Sequence, residues 1–168
     1  MIIKTLNHVL KPLGKRFSKA GVGPLKFIES NVNKFNYLEL LDDLVCPYID
    51  VLERRYKEVF TFQHDNASSH TSLAAEGKEE FKGWFEELNI PLLFHPGNSP
   101  DINPIENLWD LVDKAVRKFP VTDNENEFRR RLEEAWNQIS KETCVNLLNS
   151  MDKRVKMVKD NSYYAIPY

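Results

Sequence analysis

Three prolines, Pro96, Pro100 and Pro104, recur every four residues in the run HPGNSPDINPIENLW, residues 95–109. Each lacks a backbone N–H and its ring clashes with the preceding turn, so no helix runs through this stretch. Gly97 and Asn98 add turn chemistry. The second half reads as a helix start. Asn103 suits the N-cap, Pro104 suits the first helical position, where an N–H would go unused, and Glu106 falls at the third. A rigid, extended loop therefore delivers one carboxylate, Glu106, to the first turn of a helix.

Two readings of Glu106 stand side by side. In the first, Asn-Pro-Ile-Glu is a capping box, with the third-position acid reaching back to the cap's N–H and gaining from the helix dipole. In the second, Glu106 works with another acid. The run FTFQHDNASSHTS supplies a candidate. Phe60 and Phe62 alternate with Thr61 and Gln63, which predicts a strand over Phe60–His64. Asp65 follows at its carboxyl end, where α/β sheets place chemistry. As an isolated dipeptide, Asp65-Asn66 is equally an ordinary turn pair.

At 168 residues the chain has the length of one domain with a real core. Its 42% hydrophobic and 11% aromatic content argues against disorder. A net charge of −2 gives no bulk argument for nucleic-acid binding, but the charge is uneven. Residues 61–103 carry two basic and seven acidic side chains, whereas residues 1–60 carry ten and seven. The acidic middle suits a cation-binding centre, although Glu76, Glu79, Glu80, Glu86 and Glu87 read better as a solvated helix face. Cys46 and Cys144 are too few for a disulfide framework, lack metal-ligand spacing, and read as buried thiols of an intracellular protein. No apolar run reaches membrane-spanning length.

Along the chain, residues 1–20 are the least readable, a basic segment interrupted by Pro12 and Gly14. Gly21, Gly23 and Pro24 punctuate the entry to a predicted strand, Leu25–Ile28. Asn33 caps a predicted helix bearing Tyr37, Leu41, Leu44 and Tyr48, which Pro47 ends or kinks, and Ile49, Leu52 and Tyr56 continue the stripe. A helix is expected from about Ser72 to Leu88, then a short strand, Leu92–Phe94. After the proline loop, Ile105, Leu108, Trp109, Val112 and Val116 give an amphipathic helix. Thr122 and Glu125 form a capping box before the next helix, whose Arg129–Arg131 run is either a DNA contact or a solvated face. Ser140 caps a last helix with Leu147, Leu148, Met151, Val155 and Val158 inward and Lys153, Arg154, Lys156 and Lys159 on its surface.

The pair FQHDN…H and SPDINPIENLW resembles the catalytic domain of Tc/mariner superfamily transposases, which are DDE enzymes with an RNase H-like fold. GVGPLKFIESNVNKFNYLELLDDLVCPYI resembles the preceding family segment and LLNSMDKRVKMVKDN the closing helix, so the resemblance spans about residues 20–168. It implies an α/β, RNase H-like domain over residues 21–168, with an incomplete small sheet flanked by helices and a helical carboxyl-terminal half. It assigns Asp65 and Glu106 as catalytic, metal-binding acids, with Asn66 and His70 beside Asp65 as hydrogen-bonding support. Mg²⁺ or Mn²⁺ is the implied cofactor. DNA, at transposon ends, is the implied substrate, with self-association of the chain open and a nuclear location expected.

The resemblance also implies a third acid, first in sequence, on a strand upstream of Gly21–Ile28. Residues 1–20 contain no Asp or Glu. The expectation is an amino-terminally truncated domain that is inactive alone, or a non-catalytic nucleic-acid- or protein-binding derivative of the same fold. Without the central strand, the apolar edge of Phe60–His64 needs a partner: Leu25–Ile28, residues 2–10 or a second molecule.

Overall fold

The computed structural model describes residues 17–23, 25, 27, 34–64, 82–94, 99–162, 164 and 166. In chain order the described elements begin with β1 (Phe17–Ser18), β2 (Gly21–Val22), α1 (Lys34–Tyr56) and β3 (Phe62–His64). Helical residues 82–87 (α2) and β4 (Leu92–Phe94) follow. A 3₁₀ turn, Pro100–Ile102, leads into α3 (Pro104–Val116), α4 (Glu125–Asn137), α5 (Lys141–Asn149) and α6 (Met151–Asp160). These elements belong to two compact units, one of residues 1–14 and 26–98, the other of residues 15–25 and 99–168.

The first unit is built on a small parallel sheet. β3 pairs with β4 in the register Phe62↔Leu92, Gln63↔Leu93, His64↔Phe94. Parallel strands share one polarity, so the chain leaves both at the same end of the sheet, after His64 and after Phe94. The observed strand is two residues shorter than the expected Phe60–His64, because Phe60 and Thr61 lie before its first ladder pair. The Phe60 N–H is held instead by the Glu53 carboxylate of α1, at 3.0 Å.

α1 buries Leu41, Val45, Ile49 and Leu52. That stripe advances by four, four and three residues, the spacing of one helix face. It is rotated from the expected face, since Leu44 and Tyr48 are only half-buried. The helix also continues through Pro47 instead of ending there. Pro47 is exposed, and the flanking Val45 and Ile49 anchor both halves of the helix in the core. Phe85 of α2 completes this core, stacked on Phe62 at 5.2 Å and edge-on to Trp84 at 4.9 Å.

α2 closes on Asn89, whose φ of 55° lies in the left-handed region. Ile90 N–H then reaches Phe85 O at 3.0 Å and Asn89 N–H reaches Glu86 O at 3.1 Å, the paired bonds of a Schellman ending. Ile90 packs on the same core, so the helix stop also starts β4.

In the second unit, β1 and β2 form an antiparallel hairpin with Phe17 opposite Val22. Gly21 has φ of 120°, which a residue with a side chain rarely adopts, so this glycine is part of the turn geometry. The sequence places a strand later, at Leu25–Ile28. Leu25 and Phe27 are in neither strand nor helix, and Lys26 and Ile28 lie outside the described residues. The glycines punctuate a hairpin, not the entry to the expected strand. Of the candidate partners for the edge of β3, residues 2–10 are also outside the described residues.

The four helices α3–α6 bury Leu108, Val112 and Val116, then Leu132, Ala135 and Trp136, then Cys144 and Arg154. The Trp136 ring stacks on Trp109 at 5.3 Å. α4 is capped by Asn124, whose Oδ1 accepts from Glu127 N–H at 3.1 Å. Thr122, the expected cap, instead accepts from Asn124 N–H at 3.2 Å and so orients the true cap. Ser140 caps α5 as expected, accepting from Thr143 N–H at 3.1 Å. The expected single last helix is two, divided at Ser150, whose hydroxyl bonds back to Leu147 O at 2.6 Å. Among the described residues no helix is long and apolar enough to cross a membrane.

Candidate functional site: the loop and first turn that carry Glu106

The described part of the candidate site is Ser99–Asn107. Pro100–Ile102 form one 3₁₀ turn, closed by Asn103 N–H donating to Pro100 O at 3.1 Å. Asn103 then takes an extended backbone, φ −99° and ψ 100°, and its carbonyl accepts Glu106 N–H at 3.1 Å. Asn103 is therefore the N-cap by position, but its side chain makes no capping bond. Its own N–H, which a capping box assigns to the Glu106 carboxylate, is already donated to Pro100. Pro104 sits buried at the first helical position, as its fixed φ favours.

Glu106 occupies the third helical position of α3 and is exposed. Its carboxylate lies where the amino-terminal end of the helix dipole favours negative charge. Leu108 and Val112, both essentially fully buried, hold the opposite face of the helix in the core. The result is an exposed acidic residue on an element that is itself well anchored.

The anchor comes from α6. Arg154 is 1% exposed although the sequence reading puts it on the surface with its lysine neighbours. Its Nη1 donates to Asp101 O at 2.9 Å, its Nη2 to Asn107 Oδ1 at 2.7 Å and its Nε to Ser150 Oγ at 2.9 Å. Asp101 is held a second time, because its Oδ2 accepts the Ile166 N–H at 2.9 Å. The signal for Arg154 was present in the spacing. Residues 147, 151, 154 and 158 advance by four, three and four, which puts an arginine in line with the inward Leu147, Met151 and Val158.

The other assigned residues, Asp65, Asn66 and His70, lie outside the described residues, as does His95. What is described is the chain leading to the first of them. His64 ends β3, so position 65 is the first residue beyond the carboxyl end of a parallel strand. Among the described residues, no group of three or more His, Cys, Asp or Glu side chains is placed to hold a metal ion.

The Arg129–Arg131 run is engaged elsewhere. Arg129 pairs with Glu125 at 2.6 Å, and Arg130 with Glu127 at 2.9 Å and with Glu134. Arg131 pairs with Glu127 at 2.8 Å, donates to Pro120 O at 2.6 Å and lies over the Phe119 ring. Hydrogen bonds from Arg130 and Arg131 hold the Glu127 carboxyl down to about 2 from its ordinary value of 4.5. These arginines serve α4 and its preceding loop, which agrees with the solvated-face reading.

Comparison with known proteins extends these local features to the whole chain. Residues 22–129 match the family model described as DDE superfamily endonuclease. Over 152 residues the chain is 31% identical to the transposable element Tc1 transposase of Caenorhabditis elegans, covering 90% of this chain and 52% of that protein. It is 32% identical, with the same coverage, to the Tcb2 transposase of Caenorhabditis briggsae. It thus spans about half the length of the curated relatives it matches. The structure superposes on the catalytic domain of Mos1 transposase, solved with raltegravir and Mn, with a TM-score of 0.74 and 19% identity. That match covers 92% of this chain and 76% of the other. At that identity it establishes the fold, which is RNase H-like, with a small sheet and a mostly helical remainder. With the family match spanning more than half of its residues, this chain belongs to the DDE superfamily endonucleases, in their Tc/mariner branch.

Proposed function

We propose that residues 21–168 are a transposase DDE domain whose Asp65 and Glu106 together bind Mg²⁺ or Mn²⁺ for cleavage and transfer of DNA strands at transposon ends. The observation that carries this reading is the place of Glu106, an exposed residue in the first turn of α3 in a chain of this family. A carboxylate is the hard oxygen donor these cations prefer. The Mos1 catalytic domain was solved with Mn, which supports the choice of cation.

In this reading the chain's own residues supply position and charge. Glu106 offers its carboxylate from a helix end whose dipole favours the ionised form by about 0.3–1 kcal/mol. Asp65 brings the second carboxylate from beyond the carboxyl end of β3, and Asn66 and His70 orient it by hydrogen bonds. When bound, the divalent cations supply Lewis-acid stabilisation of the attacking and leaving oxygens of the phosphodiester. In this reading the protein works in the nucleus.

The test is Mn²⁺ binding, followed by electron paramagnetic resonance of the free ion. The wild-type chain is expected to bind Mn²⁺, and Asp65→Asn and Glu106→Gln are each expected to weaken binding at least tenfold. Unchanged binding in both variants overturns the proposal and leaves Glu106 as a residue of the helix terminus.

A further inference from the structure

We infer that Arg154 is a positioning residue for Glu106, setting the rotation of the first turn of α3 from the far end of the sequence. The inference rests on the metal-binding reading of Glu106 for its functional consequence, and on the described geometry for its mechanical part.

The two acceptors on α3 and its loop flank Glu106. Asp101 precedes it by five residues, and Asn107 directly follows it. One guanidinium holds the carbonyl of the first at 2.9 Å and the side-chain oxygen of the second at 2.7 Å. The chain between them has little freedom. Pro104 fixes its own φ, Asn103 N–H closes on Pro100 O, and Glu106 N–H closes on Asn103 O. Fixing both ends of so short and stiff a segment fixes the direction in which the Cα–Cβ bond of Glu106 leaves the backbone.

The residue type agrees with this role. Arg154 sits at an inward position of α6, where Leu or Met meets the packing requirement without desolvating a cation. A guanidinium at that position brings what an apolar side chain lacks, a rigid planar fork that reaches several acceptors at set angles. Ser150 completes the arrangement by accepting from Nε at 2.9 Å, so the fork is oriented from its own helix. Asp101 is braced from another side by the Ile166 N–H, at 2.9 Å. Sites of this kind lose function steeply when a donor is displaced by about 1 Å.

The experiment compares wild type, Arg154→Met, Arg154→Lys and Asn107→Ala as full 168-residue chains. Amide hydrogen exchange reads the mechanical part. Arg154→Met is expected to speed exchange at least tenfold at Ile105–Leu108 while leaving the middle of α4 at its wild-type rate. Mn²⁺ affinity per folded molecule reads the functional part. It is expected to fall about tenfold in Arg154→Met, less in Asn107→Ala, and to be poorly rescued by Arg154→Lys, which has no fork. If Glu106→Gln leaves Mn²⁺ affinity unchanged, the metal reading fails, and the exchange data still decide whether Arg154 sets the turn. Unchanged exchange at Ile105–Leu108 in a folded Arg154→Met chain overturns the inference. Should that variant not fold, Asn107→Ala carries the same decision, because it removes one acceptor and leaves the buried helix face intact.

Discussion

Trp136 Nε1 donates to the carbonyl of Gly23 at 2.8 Å, joining α4 to the residue after the β1–β2 hairpin, 113 positions earlier. Both residues are buried. A buried carbonyl that loses its partner keeps its desolvation cost, about 1–3 kcal/mol. Trp136→Phe is therefore expected to lower unfolding stability by about that amount. Trp136→Ala, which also empties the stack on Trp109, is expected to cost about 3–5 kcal/mol. Urea unfolding checks both. Equal stability of Trp136→Phe and wild type would mean that the hairpin is not held by this bond.

Asn124, not Thr122, satisfies the start of α4. Replacing Asn124 with Ala is expected to cost about 1 kcal/mol, the usual value of an N-cap. Thr122→Ala is expected to cost less, because its hydroxyl holds only the Asn124 N–H, in an exposed setting. Denaturant midpoints of the two variants give the order, and the reverse order would restore the capping box at Thr122.

Glu127 ties acid sensitivity to α4. Its carboxyl titrates at about 2 when folded, against an ordinary 4.5, because Arg130 and Arg131 hydrogen-bond the ionised form. The unfolded chain therefore takes up the proton first as pH falls. The stabilisation is fully present above about pH 4.5 and is lost as pH drops from 4.5 towards 2. The stability gap between wild type and Glu127→Gln is expected to close across that window, and also to shrink in about 1 M salt, since these side chains are partly exposed. A gap that stays constant from about pH 7 to about pH 2.5 would remove Glu127 from the acid response.

The 168-residue polypeptide is expected to show no Mg²⁺- or Mn²⁺-dependent DNA cleavage or strand transfer. The expectation rests on the resemblance, which assigns Asp65 and Glu106 and implies a third acid, while residues 1–20 contain neither Asp nor Glu. A labelled transposon-end duplex incubated with the chain checks this. Cleavage abolished by Asp65→Asn would require a third acid within these residues. Asp101, five residues before Glu106, is then a candidate, although its Oδ2 already accepts the Ile166 N–H.

Local chemistry carried much of this protein. The Asn103-Pro104 pair starts a helix at Pro104, because a missing N–H and a fixed φ act within a single turn. The stripes of α3 and α4, the Ser140 cap and the short strands before Asp65 and His95 depend on similarly near neighbours. Family membership was legible for the same reason, since SPDINPIENLW and FQHDN are contiguous runs. The exceptions are contacts made over distance. Helical spacing puts Arg154, unlike Lys153 and Lys156, in line with Leu147, Met151 and Val158, but the acceptors that satisfy its buried guanidinium, Asp101 and Asn107, lie 53 and 47 residues away. Pro47 stays inside α1 because Val45 and Ile49 pack in the core on either side of it, which local propensity does not count. The hairpin at Phe17–Val22 needs the left-handed glycine at position 21, and Trp136 needs the carbonyl of Gly23. Caps, turns and periodicity are decided within a few residues, whereas the burial of a cation or an indole N–H is decided by whichever acceptor the folded chain brings to it.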